Sequence, residues 1–329
     1  MATLKDIAKR AGVTATTVSR VINNRGYISE GTRKKVYAAM EEMHYQPNEL
    51  ARAFSKQYTN TIGLIVPHIS HPFFIKVISN LESSAAEKGF KLLLCNSKEQ
   101  PEKEQDYLDM CISNRVAGIV LCSKYVQTRE FRKMNIPVVN LERGGDDDTI
   151  SVQCDNYQGG KLAAEHLIEC GCKNLLHFGG VAGKDMPADR RADGFSDVCK
   201  RAGIPYRILV SDRLLYGSMH YEDFIRRALQ EFPDVDGIFA SSDLIASQVI
   251  QVGAQMGKRV PEDIQLIGFD DVMISTVTTP QITTIHQPVE EMTELCVEYI
   301  AKSLKNESVP QKIVLPVRLV QRGTTVLKT

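Results

Sequence analysis

The sequence has no apolar run that approaches the length of a membrane-spanning helix, and it lacks the short motifs of several large enzyme classes. It contains no HExxH, no GxSxG and no P-loop, which excludes the enzyme classes those motifs mark. Met1 leads directly into a segment with four charged residues among its first ten positions, unlike the apolar centre of a signal peptide. We therefore predict a cytoplasmic protein that is not an enzyme and has no membrane association.

Pairs of cysteines at CxxC spacing are also missing. Several of the eight cysteines lie inside apolar, strand-like runs, so we expect them to be buried and reduced rather than joined in disulfides. The Cys170-Gly171-Cys172 segment has no accompanying cluster of histidines or acids, which argues against a metal site. The glycine-rich stretch 179–183 lacks the GxGxxG spacing of a dinucleotide site. We predict neither a metal nor a cofactor.

The charges of the chain are balanced overall but unevenly distributed. Forty Lys and Arg residues match forty Asp and Glu residues. Residues 1–60 hold ten of the basic and five of the acidic residues, which leaves thirty basic against thirty-five acidic residues in the remainder. A basic N-terminal region on an acidic body favours a protein that contacts nucleic acid at one end only.

Residues 4–23 show the pattern of two short helices joined by a tight turn. Leu4, Ile7 and Ala8 share one helical face, and Gly12 supplies the positive φ that a turn between helices needs. Thr14 is the predicted N-cap of the second helix. A third helix follows, with Ser29 as its predicted N-cap and its apolar face at Val36, Ala39, Met40 and Met43. The pattern predicts a helix-turn-helix closed by a third helix.

The second of these helices has a polar outer face without acidic residues. Its inward positions are Val18, Val21 and Ile22, and its outward positions are Ala15, Thr16, Ser19, Arg20 and Asn23. Short hydroxyls, an amide and an arginine suit the major groove of DNA.

From residue 61 onward, short apolar runs alternate with amphipathic segments. The predicted strands are Ile62–Val66, Leu92–Cys95, Gly118–Leu121, Val138–Leu141, Leu175–Phe178, Gly237–Ala240 and Ile264–Phe269. This alternation predicts an α/β fold of doubly wound parallel sheets. There are about twice as many strands as one such sheet needs, so we expect two similar lobes.

The helix that begins after Asp155 carries two further signals. Asp155 is the predicted N-cap of a helix over Tyr157–Cys170, and the pair Gly159-Gly160 predicts close backbone packing.

Ligands of open α/β sheets bind outside the carboxyl ends of the strands. Polar and aromatic residues follow several predicted strands. His71-Pro72-Phe73-Phe74 comes after the first strand and Glu142-Arg143 after the fourth. Ser242 and Asp270 end later strands, and Gln287 follows Thr284-Ile285-His286. Carboxylates and arginines at such ends predict strong, charge-assisted hydrogen bonds to a hydroxyl-rich ligand.

The N-terminal motifs resemble those of the lactose-repressor (LacI/GalR) family. The residues that carry the resemblance are Thr3-Leu4-Lys5-Asp6-Ile7-Ala8, Ala11-Gly12-Val13, the run 17–23, and Tyr45-Gln46-Pro47-Asn48 with Ala51-Arg52. The similarity continues through the chain, and within the family it is greatest to the repressors of sucrose operons. The resemblance implies that DNA is contacted by Thr3, Thr14, Ala15, Thr16, Thr17, Ser19, Arg20, Asn23, Tyr45, Asn48, Ala51, Arg52 and Phe54.

The same resemblance implies three regions. Residues 1–48 form the DNA-binding headpiece, 49–60 a hinge helix and linker, and 61–329 a two-lobed core like that of periplasmic binding proteins. Lobe 1 comprises about 61–160 and 288–317, and lobe 2 about 161–287 and 318–329. In that family the hinge inserts an apolar side chain into the minor groove of operator DNA, and this chain has Phe54 where the family usually has leucine.

For the core, the resemblance to sugar-binding relatives implies an effector site between the lobes. The residues carried over are His71, Phe73, Phe74, Glu142, Arg143, Arg191, Ser242, Asp270 and Gln287, with Ser123 as an addition. His71 and Ser242 stand where asparagine is common, and Glu142 where aspartate is common, which leaves the sugar open.

We therefore predict a sequence-specific repressor of a carbohydrate-utilisation operon, controlled by a small sugar or sugar phosphate. The chain ends soon after its last strand, without a heptad helix, which favours a homodimer on palindromic operator DNA. A global carbon-catabolite regulator with a phosphocarrier protein as co-repressor is the main alternative. A purine-responsive repressor, a periplasmic solute receptor and a nicotinamide-dependent enzyme agree less well with these motifs.

Overall fold

The computed structural model describes residues 2–23, 26–45, 58–123, 136–143, 149–181 and 186–327. They belong to two compact units, one ending at Asn60 and the other beginning at Thr61. No helix within these ranges is long and apolar enough to cross a membrane. The predicted hinge helix, with Asn48, Ala51, Arg52 and Phe54, lies outside the described residues.

The first unit contains three helices: α1 (Leu4–Ala11), α2 (Ala15–Ile22) and α3 (Glu30–Glu42). Thr14 and Ser29 are the N-caps of α2 and α3, as predicted, and Gly12 ends α1 with φ 66°. Their apolar faces form one small core of Ile7, Ala8, Val18, Val21, Val36 and Ala39. The predicted helix-turn-helix with a closing third helix is confirmed.

The second unit contains two six-stranded sheets. The first is built from β1 (Thr61–Val66), β2 (Lys91–Asn96), β3 (Gly118–Leu121), β4 (Val138–Leu141), β5 (Ile150–Cys154) and β11 (Lys312–Leu315). All its pairs are parallel, in the order β11-β5-β4-β3-β1-β2. The central strands β3 and β4 are buried at every position, because helices cover both faces of a parallel sheet.

The second sheet has the order β12-β10-β9-β8-β6-β7. Its strands are β6 (Leu175–Val181), β7 (Tyr206–Ser211), β8 (Gly237–Ala240), β9 (Gln265–Asp270), β10 (Thr283–His286) and β12 (Arg318–Val320). The predicted doubly wound architecture is confirmed, with one difference. The edge strand β12 runs antiparallel to β10. Strand β12 follows β11 of the first sheet after only two residues, so no helix lies between these two strands.

Helices of the second unit flank these sheets. They are α4 (Pro72–Glu87), α5 (Pro101–Ser113), α6 (Asn156–Glu169), α7 (Arg190–Ala202), α8 (Arg213–Ser218), α9 (Glu222–Glu231), α10 (Asp243–Gln255), α11 (Ile274–Val277) and α12 (Val289–Ser303), with a 3-10 turn at Pro187–Asp189. All eight cysteines are free and buried, as expected from their apolar surroundings.

The chain passes between the two sheets three times: after β5, after β10 and after β11. After the first passage, α6 packs against α7 and against strands of the second sheet.

The strand list from the sequence was incomplete. Strands β5, β7, β10, β11 and β12 were not among the seven predicted strands. Strand β7 (Tyr206–Ser211) lies at a sheet edge, where several positions are half-buried or exposed. Such positions accept polar residues like Arg207, which interrupt the continuous apolar run expected of a buried strand.

The helices α6 and α7 approach each other through glycines. Asp155 caps α6 by accepting a hydrogen bond from the Gln158 amide at 2.9 Å. A Cβ atom on Gly160 would lie 1.9 Å from the carbonyl oxygen of Arg191, and one on Gly194 would lie 2.0 Å from that of Tyr157. The predicted close packing is therefore confirmed, and it sets the position of Arg191.

Candidate functional site

The outer face of α2 presents a small polar surface. Thr16 and Arg20 are exposed, while Ser19 and Asn23 are half-buried. The Asn23 side chain donates to the Ser19 carbonyl oxygen at 2.9 Å, and no acidic residue lies in the first turn of the helix. The surface therefore offers hydroxyls, an amide and one guanidinium to a partner.

Other predicted DNA contacts have structural roles within this unit. The Thr14 hydroxyl accepts from the Thr17 amide at 3.1 Å and lies 2.9 Å from the Thr17 hydroxyl. Thr3 forms a capping box with Asp6 at the start of α1. Ala15 and Tyr45 are half-buried against the three-helix core. These contacts orient α2 and its neighbours, and they leave Thr16 and Arg20 as the most exposed predicted contacts on α2.

A cavity of about 140 Å³ lies where the carboxyl ends of the strands of both sheets face each other. One water molecule needs only about 15 Å³ of such space, so the cavity has room for a small ligand. Nine of the ten predicted effector contacts line it: His71, Phe73, Phe74, Ser123, Glu142, Arg191, Ser242, Asp270 and Gln287.

Arg143 is the predicted contact that does not line the cavity. Its Nε donates to the carbonyl oxygen of Ser123, and its Nη1 donates to Asn140 Oδ1 at 3.1 Å. The guanidinium is buried and supports the segment that carries Ser123, because adjacent side chains after a strand point in different directions.

Arg191 is held by both hydrogen bonds and stacking. Its Nε donates to Asn156 Oδ1 at 2.7 Å, and its Nη1 donates to the Ser241 carbonyl oxygen at 2.6 Å. The guanidinium lies 3.5 Å from the ring centre of Phe269, and Nη1 lies 4.0 Å from Asp270 Oδ1. Several partners therefore fix the orientation of the cation at the wall of the cavity.

Asp270 ends β9 in an unusual backbone conformation, with φ 106°. Its Oδ1 accepts a 2.6 Å hydrogen bond from Gln287 Nε2. Burial is the main cause that raises the pKa of its carboxyl group to about 7, and the charge of Glu142 raises this pKa further. Arg191, the hydrogen bond from Gln287 and Lys76 lower the pKa, but by less than burial raises it. A strained backbone and a perturbed carboxyl group at a cavity wall are typical of a functional site.

Glu142 faces Arg191 from the end of β4. Its Oε1 accepts from the Cys154 amide at 2.5 Å, and its Oε2 accepts from Asn156 Nδ2 at 2.9 Å. Burial is the main cause that raises the pKa of this carboxyl group. Asn156 thus connects Glu142 of one sheet with Arg191 beside the other, a role that the sequence did not reveal.

Aromatic rings line the wall formed by the start of α4. His71 is the N-cap of α4, and its Nδ1 accepts from the Phe73 amide at 3.3 Å. Burial lowers the pKa of His71 to about 4, so the ring is neutral at pH 7. Phe74 and Tyr216 lie 5.7 and 6.0 Å from His71, measured between ring centres. Rings of this kind suit the C–H face of a sugar.

In the cavity wall, Ser123 Oγ and Gln287 Oε1 lack hydrogen-bond partners among the described residues. Both side chains are almost completely buried, at 2% and 1% exposure. An unsatisfied buried polar group costs about 1–3 kcal/mol, so a hydrogen bond from a ligand in the cavity to either atom would be favourable.

Sequence reasoning missed several lining residues, among them Tyr216 and Tyr221. Both follow β7, which was not recognised as a strand. Ser242, which was predicted as a ligand contact, lines the cavity and also caps α10 by accepting from the Ile245 amide at 3.2 Å.

A helix-turn-helix unit joined to a two-sheet core with a polar cavity is the architecture of a ligand-responsive DNA-binding regulator. Comparison with known proteins agrees. The model of the bacterial regulatory proteins of the lacI family matches residues 3–48, and that of the periplasmic binding protein-like domain matches residues 164–325. The chain belongs to the lacI family of bacterial regulatory proteins.

Two similar relatives are operon repressors. The chain is 34% identical to the ribose operon repressor of Halalkalibacterium halodurans, over 99% of this chain and 97% of that protein. It is 35% identical to the sucrose operon repressor of Pediococcus pentosaceus, over 98% of both. The predicted family is confirmed, and repressors of ribose and sucrose operons match at the same level.

Two solved structures extend the comparison. The lac repressor dimer bound to operator and an anti-inducer has 25% identity and a TM-score of 0.83, covering 99% of both chains. A LacI-type regulator of Alkaliphilus metalliredigens in complex with D-xylulofuranose has 33% identity and a TM-score of 0.74. It covers 82% of this chain and 100% of that one.

Proposed function

We propose that the protein is a transcriptional repressor of a carbohydrate-utilisation operon, controlled by a sugar or sugar phosphate in the cavity between the two sheets. One observation carries the proposal: the buried wall of Asp270, Arg191 and Gln287, with Gln287 Oε1 lacking a partner among the described residues. A ligand with several hydroxyls satisfies such a wall. The repressors of ribose and sucrose operons among the relatives support the choice of a sugar.

On the DNA side, Thr16 and Arg20 of α2 read the major groove, and the neighbouring predicted contacts position the helix. One such helix covers half of an operator, so a homodimer on palindromic DNA in the cytoplasm fits this role. The segment 49–60 acts as a hinge, with Phe54 as the wedge in the minor groove. The protein therefore acts by binding and not by catalysis.

Sugar and operator are coupled through the arrangement of the two lobes. Ligand in the cavity changes the angle between them, and segment 49–60 transmits this change to the headpieces of the dimer. Linkage requires operator DNA to weaken sugar binding by the same factor by which sugar weakens DNA binding. A coupling free energy of about 1–3 kcal/mol is typical of such systems.

A thermal-shift screen against sugars, sugar phosphates and purines tests the proposed ligand class. A ligand that binds only the folded state raises the melting temperature. A shift with a sugar or its phosphate supports the proposal. A shift with a purine alone, or none in a well-folded sample, contradicts it and favours the purine-responsive or catabolite-regulator alternative.

Arg20→Ala is expected to weaken operator binding by about 10- to 100-fold, the contribution of a good arginine contact to a base pair. The side chain is exposed, so the melting temperature and the sugar affinity stay unchanged. The measurement is fluorescence anisotropy at fixed salt, with an operator selected from a random DNA pool.

Lys35→Ala on α3 is the control for Arg20, because it removes one exposed positive charge from the same unit. We expect a smaller loss of operator affinity, because Lys35 contributes only a sequence-independent attraction to the DNA phosphates. Equal losses for the two variants would contradict base recognition by Arg20.

Sugar affinity should rise with pH through neutrality. Sugar hydroxyls donate to the ionised form of Asp270, whose pKa lies at about 7. Binding at lower pH must first release the carboxyl proton, so the association constant increases about tenfold between pH 6 and pH 8, following the ionised fraction. His71, with a pKa of about 4, stays neutral throughout and does not contribute.

Isothermal titration calorimetry at three pH values and constant ionic strength measures this effect, and Asp270→Asn serves as the control with a flatter profile. An affinity that falls with rising pH would show that the ligand prefers the protonated carboxyl group.

A further inference from the structure

The charges at the cavity wall distinguish between the two ligand classes that the proposed function leaves open. Among the described lining residues, four carry a carboxyl group and one carries a guanidinium. The acids are Glu99, Glu142, Asp189 and Asp270, and the cation is Arg191. We propose that the effector is an uncharged sugar and that the site rejects phosphorylated sugars. This inference rests on the proposed function and narrows its ligand.

Groups of the protein already interact with the positive charge of the Arg191 guanidinium, which weakens its attraction for an anionic ligand. Arg191 Nη1 lies 4.0 Å from Asp270 Oδ1. Arg191 Nε donates to Asn156 Oδ1, and Arg191 Nη1 donates to the Ser241 carbonyl oxygen. Its remaining N–H groups suit neutral hydroxyl oxygens. A phosphate group would form an ion pair with Arg191 in competition with Asp270. The buried Asp270 carboxylate would then lack its counter-charge.

The starts of helices α4 and α10, which lie beside the cavity, each have one amide taken up by a side-chain cap. Phosphate sites use the free amides at the start of a helix. At the start of α4, His71 Nδ1 accepts from the Phe73 amide, and at the start of α10, Ser242 Oγ accepts from the Ile245 amide. Asp243 adds a buried carboxyl group to the first turn of α10, which opposes a further negative charge there.

Two other basic residues near the site are engaged elsewhere. Lys76 Nζ contacts the Asp271 carbonyl oxygen at 3.4 Å and lies 3.5 Å from Glu290 Oε1. Arg143 supports the Ser123 segment behind the wall. Neither residue lines the cavity, so within the described ranges Arg191 is its single cation.

The wall instead offers acceptors that require a donor. Gln287 Nε2 donates to Asp270, and Gln287 Oε1 is left without a partner among the described residues. Asp270 and Glu142 add carboxylate oxygens. Sugar hydroxyls supply the matching O–H donors, whereas the phosphate group of a sugar ester is largely dianionic at pH 7 and supplies only acceptors at its own position.

We expect the phosphate ester of a sugar to bind at least about 100-fold more weakly than the sugar itself. That factor corresponds to about 2.7 kcal/mol, the repulsion of one charge pair about 6 Å apart at an effective dielectric constant of 20.

The test is isothermal titration calorimetry of the full chain with ribose and fructose, and with ribose 5-phosphate and fructose 6-phosphate. Binding of a neutral sugar with a phosphate ester at least 100-fold weaker supports the proposal. A phosphate ester that binds equally well or better overturns it but leaves the sugar-controlled repressor intact.

Two further outcomes also overturn the inference. If neither these four ligands nor any sugar or sugar phosphate of the thermal-shift screen binds to a cooperatively melting sample, the proposed function fails together with it. If glucosamine, included as a cationic sugar, binds more tightly than the neutral sugars, the site selects positive charge instead.

Glu99→Gln tests the electrostatic cause. Removing one carboxylate from the wall should reduce the ratio of sugar affinity to phosphate-ester affinity by about fivefold, because the affinity for the phosphate ester rises. Glu102→Gln is the matched control, because Glu102 is exposed in the first turn of α5 and does not line the cavity. An equal change in both variants, or none in Glu99→Gln, contradicts rejection by the charges of the wall.

Discussion

Replacing Asp270 with asparagine is expected to weaken sugar binding by about 100-fold while leaving operator binding intact. A hydrogen bond to a charged group contributes about 1.5–3 kcal/mol, and each 1.4 kcal/mol changes affinity tenfold. The amide also turns either a donor or a weaker acceptor toward the ligand and Arg191. The repressor should then stay on its operator at sugar concentrations that release the wild-type protein.

The same substitution should not lower the melting temperature of the core. Asparagine tolerates the positive φ of 106° at this position, and it has nearly the same shape as aspartate. Because burial disfavours the ionised carboxyl group, a neutral side chain relieves that cost. Arg191 keeps its hydrogen bonds to Asn156 and Ser241.

Calorimetry with the sugar found in the screen, and thermal melting of the same samples, separate the two effects. The exposed Asp234 provides a control, since Asp234→Asn makes the same chemical change away from the cavity. Joint loss of affinity and melting temperature in Asp270→Asn would mean that Asp270 stabilises the fold and does not contact the ligand.

Gly160→Ala is expected to destabilise the core by about 3 kcal/mol. The new methyl group would lie 1.9 Å from the Arg191 carbonyl oxygen, which is backbone and cannot rotate away. Helices α6 and α7 must therefore separate, and overpacking of this kind costs about 1–3 kcal/mol or more. Arg191 moves with α7, so sugar affinity falls as well.

Thermal melting measures the first effect, with an expected fall of about 6–12 °C for a domain of this size. Gly217→Ala in α8 is the control, because the nearest atom to its new Cβ is His68 Cε1 at 4.0 Å. A melting temperature within 2 °C of the wild type, roughly 1 kcal/mol or less, would show that the helices separate at little cost.

The helix caps illustrate what local sequence determines. Thr14, Ser29 and Asp155 were identified as N-caps from their type and from the apolar period that follows, and all three cap helices. Capping depends on hydrogen bonds within one helical turn, so a short stretch of sequence contains the whole signal. The pair Gly159-Gly160 was also interpreted correctly, although its partner Arg191 was not named.

The candidate site was predictable to the extent that strand ends are predictable. Glu142, Asp270 and Gln287 lie at or just after the ends of buried strands, and parallel strands bring their carboxyl ends to one edge. Arg143 shows the limit of this rule. It adjoins Glu142 in sequence, yet its side chain supports Ser123 from behind, because direction after a strand depends on packing.

The sequence by itself determined the family, the three-helix headpiece, the two-sheet core and nine of the 22 described residues that line the cavity. These features follow from period, capping and strand ends, which are properties of short segments. Only the tertiary structure decided which groups meet: that Asn156 joins Glu142 to Arg191, that Tyr216 reaches His71, and that one guanidinium faces four acids among the described lining residues. Such contacts join distant segments, and their burial sets the charge state of the site, which no local pattern encodes.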